Sequence, residues 1–142
     1  MPLLYETPRR ILVADDDVAI LELVSTRLTL AGYVVLTARN GVEALSRLNE
    51  RRYDGMVLDL NMPEMDGFGV LLCMADLGAA APPTLVLTAS HNAADVQKAV
   101  KLGARDYLSK PFEDRQLLMR VGRLFRTQHV TQSMLEALDL SL

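Results

Sequence analysis

Residues 56–67 read Met56-Val57-Leu58-Asp59-Leu60-Asn61-Met62-Pro63-Glu64-Met65-Asp66-Gly67. Three apolar residues end on an aspartate. A loop marked by Pro63, Asp66 and Gly67 follows. A short apolar run with no polar alternation suits a strand buried on both faces, as in a parallel sheet. The pattern recurs on both sides of this stretch. Ile11-Leu12-Val13-Ala14 runs into Asp15-Asp16-Asp17, and Val34-Val35-Leu36-Thr37 is β-branched and strand-like. Leu85-Val86-Leu87 ends on Thr88, and Tyr107-Leu108 ends on Ser109-Lys110-Pro111.

Between these runs lie amphipathic stretches. Leu21, Val24 and Leu28 fall at helical spacing, closed by Gly32. Asn40 and Glu43 form a capping pair ahead of Val42, Leu45 and Leu48. Phe68, Leu71 and Leu72 begin a third helix, which Gly78 and Pro82-Pro83 stop. Asn92 and Asp95 cap a fourth, carrying Val96, Ala99 and Val100 and closed by Gly103. A fifth runs from about Glu113 through Leu117, Val121 and Leu124. Five strand–helix units predict an α/β domain with a parallel, doubly wound sheet and helices on both faces. In such sheets function collects at the carboxyl ends of the strands.

The composition agrees with this reading. The chain has 142 residues, half of them hydrophobic, and a net charge of −3. That is enough for one folded domain, with no strong pull toward nucleic acid or anionic membrane. The single cysteine, Cys73, excludes an internal disulfide and is expected to be buried and inert. The N-terminal residues lack a secretory pattern, and residues 70–86 are too interrupted to span a membrane. A cytoplasmic location is expected. Met62, Met65 and Met74 read as packing, Asp17 as a helix cap, Asp66 and Gly67 as turn formers. His91 and His129 read as exposed.

The expected carboxyl ends deliver Asp15, Asp16, Asp59, Thr88 and Lys110 to one rim. Clustered carboxylates repel, and a hard divalent cation relieves that repulsion. A carboxylate beside such a cation and a lysine suits phosphoryl transfer, with the carboxylate as nucleophile. The product would be an aspartyl phosphate.

These segments, taken with Lys110-Pro111-Phe112, resemble the receiver domain of bacterial two-component response regulators from about Arg9 to Phe125. The resemblance implies a flavodoxin/CheY-like sheet of order 2-1-3-4-5. It implies that Asp59 accepts a phosphoryl group from a sensor histidine kinase or phosphotransfer protein. Asp16 would bind Mg²⁺ directly, with Mn²⁺ as the alternative ion, and Asp15 would act through metal-bound water. Asp59 and the Asn61 backbone carbonyl would complete the ligand set. Lys110 and Thr88 would contact the phosphoryl group, Tyr107 would swing inward, and the Lys110–Pro111 bond would be cis. Such a domain is a switch that controls an output domain or partner, not a turnover enzyme. Asn61 and Ser90 flank the site where water access would be tuned.

Three rivals are weaker. A haloacid-dehalogenase-like phosphohydrolase would need an acid two residues after Asp59, where Asn61 stands. A nucleotide-binding module would need a glycine-rich phosphate loop, which Gly67-Phe68-Gly69 does not supply. An interaction domain independent of phosphorylation would not need the intact rim.

The expected organisation is an N-terminal extension at 1–8, a receiver at 9–126 and a C-terminal helical extension or linker at 127–142. Leu117, Val121, Leu124, Gln128, Thr131, Leu135, Leu138 and Leu142 form a heptad-like stripe. It suits an extended C-terminal helix that signals or dimerises, and the chain is expected to be a piece of a longer regulator. A second dimer surface would be helix 4, strand 5 and helix 5. Arg115, Arg120, Arg123 and Arg126 read as a solvated or partner-binding face, and direct binding of nucleic acid by this chain is not expected.

Overall fold

The computed structural model describes residues 7–89 and 92–126. Five strands alternate with five α-helices: β1 (Arg10–Ala14), α1 (Val18–Leu30), β2 (Val34–Ala38), α2 (Gly41–Glu50), β3 (Gly55–Asp59), α3 (Gly67–Met74), β4 (Thr84–Thr88), α4 (Ala93–Lys101), β5 (Asp106–Ser109) and α5 (Asp114–Arg123). The sheet is parallel throughout, in the order β2-β1-β3-β4-β5. Chain order reverses between β1 and β3, which opens a crevice at their carboxyl ends.

Alternation along the strands divides the interior into two layers. Leu12, Met56, Leu58 and Val86 face one side, where Ala44 of α2, Val70 and Leu71 of α3 and Ala99 of α4 cover them. Ile11, Val13, Val57, Leu85 and Leu87 face the other, under Leu21, Val24 and Leu28 of α1 and Leu117 and Val121 of α5. Burying each large aliphatic side chain contributes about 1.5–3 kcal/mol. Residues of β3 and β4 are all buried, which explains runs with no alternation of polarity. The edge strand β2 is half exposed along most of its length.

The helix ends follow local chemistry. The Asp17 carboxylate accepts from Ala19 N–H at 3.0 Å, Asn40 from Glu43 N–H at 2.7 Å, Asp66 from Gly69 N–H at 2.9 Å and Asn92 from Ala94 N–H at 2.9 Å. Each satisfies a donor that the first helical turn cannot. Gly32 and Gly103 follow the ends of α1 and α4 with φ of 102° and 112°, a conformation that costs glycine least.

Three expectations need correcting. The third helix ends as an α-helix at Met74 and continues as a 3₁₀ stretch, Ala75–Ala80, broken where Gly78 turns to φ 56°. Cys73 is exposed, because its helix buries the face that carries Val70, Leu71 and Met74. Arg120 is not a solvated charge: it donates to Asp106 Oδ1 at 2.9 Å and to the Tyr107 carbonyl at 2.6 Å. The expected C-terminal helix at 127–142, with His129, lies outside the described residues, as do Ser90, His91 and positions 1–6 of the expected N-terminal extension. Among the described residues no helix is long and apolar enough to cross a membrane.

Candidate functional site

Parallel register places the strand ends side by side. Ala14 pairs with Leu58, so Asp15 and Asp59 each stand one position beyond that pair. Asp59 pairs with Leu87 and Thr88 with Ser109, which brings Thr88 and Lys110 to the same edge. The Lys110 N–H donates to the Thr88 carbonyl at 2.8 Å, tying the ends of β4 and β5 together. The Lys110–Pro111 peptide bond is cis, as expected.

Asp15 and Asp59 are buried, and Asp16 beside them is exposed. One carboxylate oxygen from each of the three lies within 4.8 Å of the other two. The Lys110 ammonium sits 3.0 Å from Asp15 Oδ2 and 3.4 Å from Asp59 Oδ1. The resemblance pairs Lys110 with Asp59; here it bridges both carboxylates and is nearer to Asp15. The second oxygen of Asp15 accepts from the Asp17 N–H at 2.9 Å, so the cap of α1 also orients Asp15. Asp59 Oδ1 accepts from the Asn61 N–H at 3.4 Å.

Two buried carboxylates therefore share one ammonium. Burial, and then repulsion from Asp15, push the Asp59 carboxyl up to about 6, against the opposing pull of Lys110. For Lys110, burial works against the charged form, but hydrogen bonding and attraction from Asp15 and Asp59 outweigh it and the net shift is upward. A hard cation at the Asp15, Asp16 and Asp59 oxygens would remove the imbalance. The donor set fits Mg²⁺ or Mn²⁺, which take carboxylate oxygens and waters.

Thr88 is fully buried at the end of β4. Tyr107 is half-buried, and its ring centroid lies 5.8 Å from the Arg120 guanidinium. Sequence reasoning missed that contact. It also took Gly67 only for a turn former. A Cβ there would come within 2.5 Å of the Asp59 carbonyl oxygen and 2.8 Å of Leu60 Cα, so the start of α3 presses on the end of β3. The position of Gly67 at a helix start after a loop was the available signal.

The family model described as response regulator receiver domain matches residues 11–122. The chain belongs to this family. A receiver domain accounts for the strand order and for the acidic crevice together. The chain is 37% identical over 121 residues to a probable transcriptional regulator, ycf27, of Guillardia theta, covering 85% of this chain and 47% of that protein. It is 42% identical over 119 residues to the response regulator MprA of a Mycobacterium species, covering 84% and 51%. Among solved structures it is similar to the chemotaxis response regulator CheY4 of Vibrio cholerae, with a TM-score of 0.77 and 34% identity, covering 84% of this chain and 100% of that one. The receiver spans about half the length of these two curated relatives.

Proposed function

We propose that Asp59 accepts a phosphoryl group from a phosphohistidine, carried by a sensor histidine kinase or a phosphotransfer protein. The observation that carries this reading is the pair of buried carboxylates, Asp15 and Asp59, bridged by one lysine, with Asp16 exposed beside them. Asp59 Oδ1 takes the Lys110 and Asn61 contacts. A carboxylate oxygen of Asp59 attacks phosphorus, the P–N bond breaks, and its electron pair returns to the imidazole nitrogen of the donor. Lys110 stays beside the new acyl phosphate and neutralises a phosphoryl oxygen. Asp16, Asp59 and the Asn61 carbonyl would hold Mg²⁺ directly, and Asp15 through water. The ion, when bound, supplies positive charge against the transferring oxygens.

The phosphoryl group adds nearly two negative charges and strong acceptor oxygens. Thr88 would hydrogen-bond one of those oxygens and Tyr107 would turn inward beside it. This favours one of two pre-existing arrangements of α4, β5 and α5. A few kcal/mol suffices to invert such a population. The protein acts as a switch for an output domain or partner, with residues 9–126 as the receiver unit and 127–142 as a C-terminal extension or linker.

Beryllofluoride, a mimic of the phosphoryl group, tests the site. Fluorine NMR should show one Mg²⁺-dependent bound species in the wild type and none in Asp59→Ala. Binding that survives Asp59→Ala would refute the assignment.

A further inference from the structure

At the amino ends of the strands, opposite the acidic crevice, a groove runs between the 3₁₀ stretch after α3 and the last turn of α4. Its cavity is about 310 Å³, with Leu71, Met74, Pro82 and Leu102 as apolar lining and Lys101 and Arg105 as charged lining. A second cavity of about 210 Å³ adjoins it at Pro82, with Glu50, Arg51 and Arg52 as its charged lining. Among the described residues none of these four cations makes an ion pair. Lys101 stands in the last turn of α4, where a cation suits the helix dipole. Arg52 and Arg105 lie outside the helices, so the dipole does not explain them. The groove thus offers apolar walls with a basic margin. An acidic apolar segment fits it better than a nucleic acid, whose phosphates would leave the apolar walls uncovered.

The chain carries one such segment. Residues 127–142 contain no Lys or Arg, two acids, Glu136 and Asp139, and the apolar residues Met134, Leu135, Leu138, Leu140 and Leu142. Arg105, a residue of the groove lining, donates from its guanidinium to the Leu124 carbonyl at 3.3 Å, so the described end of the chain, Arg126, lies two residues beyond a partner of the groove lining. Sixteen residues reach up to about 50 Å when extended, far more than this span requires.

We propose that residues 134–142 of this chain dock into the groove between the 3₁₀ stretch and α4. Their leucines cover the apolar walls, and Glu136 and Asp139 face the basic margin. The proposal does not depend on phosphorylation at Asp59.

Paramagnetic relaxation tests it on the full chain in EDTA. A nitroxide is placed on Leu138→Cys in a Cys73→Ser background. Amide signals of residues 75–83 and 101–105 should lose most of their intensity, while those of α1 keep theirs. Lys101→Glu with Arg105→Glu should restore the lost intensity, and adding Glu136→Lys with Asp139→Lys should abolish it again. Absent or evenly spread attenuation overturns the proposal, as does attenuation indifferent to charge reversal. The same attenuation in a mixture of isotope-labelled and separately spin-labelled chains would assign the groove to a second copy's tail and overturn docking within one chain.

Discussion

At Asp59 folding and the proposed function pull in opposite directions. An aspartate held near pKa 6 in the fold and 3.8 outside it binds its proton more tightly when folded. The stability this gives is complete below about pH 4 and is lost as pH rises through about 6, amounting to roughly 3 kcal/mol by linkage. Asp59→Asn should therefore stabilise the metal-free protein at pH 8 by about 1–3 kcal/mol, and the gain should fade toward pH 4. Urea unfolding of both proteins in EDTA across that range checks it. Lys110→Ala acts the other way. It strips the counter-charge from the fully buried Asp15 and should cost about 3 kcal/mol at pH 8, by the same assay. The sequence made Asp15, Asp16, Asp59, Thr88 and Lys110 legible because each stands at the end of a recognisable run. It did not reveal that Lys110 bridges two carboxylates, or that Arg120 grips Asp106 and the Tyr107 carbonyl. Those contacts join residues 13 or more positions apart, and the Arg120 contacts depend on how α5 lies over β5.

The elements hold the site through their ends. α1 is capped by Asp17, whose N–H also holds Asp15. Asp17→Ala should cost about 1 kcal/mol through loss of the cap, whereas Asp17→Asn should cost little; thermal unfolding of both separates the cap from the charge. At α3 the constraint is steric. Gly67→Ala would drive a Cβ into the Asp59 carbonyl and should destabilise by about 1–3 kcal/mol, with a loss of phosphoryl acceptance beyond that of an equally destabilised core variant. Gly32→Ala meets nothing within 4 Å. It should pay only for its positive φ, about 1–2 kcal/mol, and leave acceptance intact. Element type and order were readable because buried parallel strands are continuous apolar runs and their helices end on caps and glycines. The change from α-helix to 3₁₀ at Met74 was not readable: no helix breaker stands between Met74 and Gly78, the glycine that the sequence marks as the stop.

At the scale of the whole molecule the sheet has two poles. The carboxyl ends gather the acidic crevice, and the amino ends carry Arg51, Arg52, Lys101 and Arg105 around the groove. A cation that binds the folded crevice and not the unfolded chain stabilises by mass action, about 2.7 kcal/mol at one hundred times its dissociation constant. Mg²⁺ should therefore raise the unfolding temperature of the wild type and do so much less in Asp16→Ala, as differential scanning calorimetry would register. Charge polarity of this kind follows from topology: a parallel sheet sends every strand-end residue to one pole, and residues far apart in sequence meet there. The central claim is that this pole makes Asp59 a phosphoryl acceptor, and intact mass spectrometry reaches it most directly. Incubated with Mg²⁺ and acetyl phosphate, the protein should gain the mass of one phosphoryl group, and Asp59→Ala should gain none; an adduct of equal yield in Asp59→Ala, or no adduct in the wild type with either this donor or a phosphorylated histidine kinase, would contradict the account.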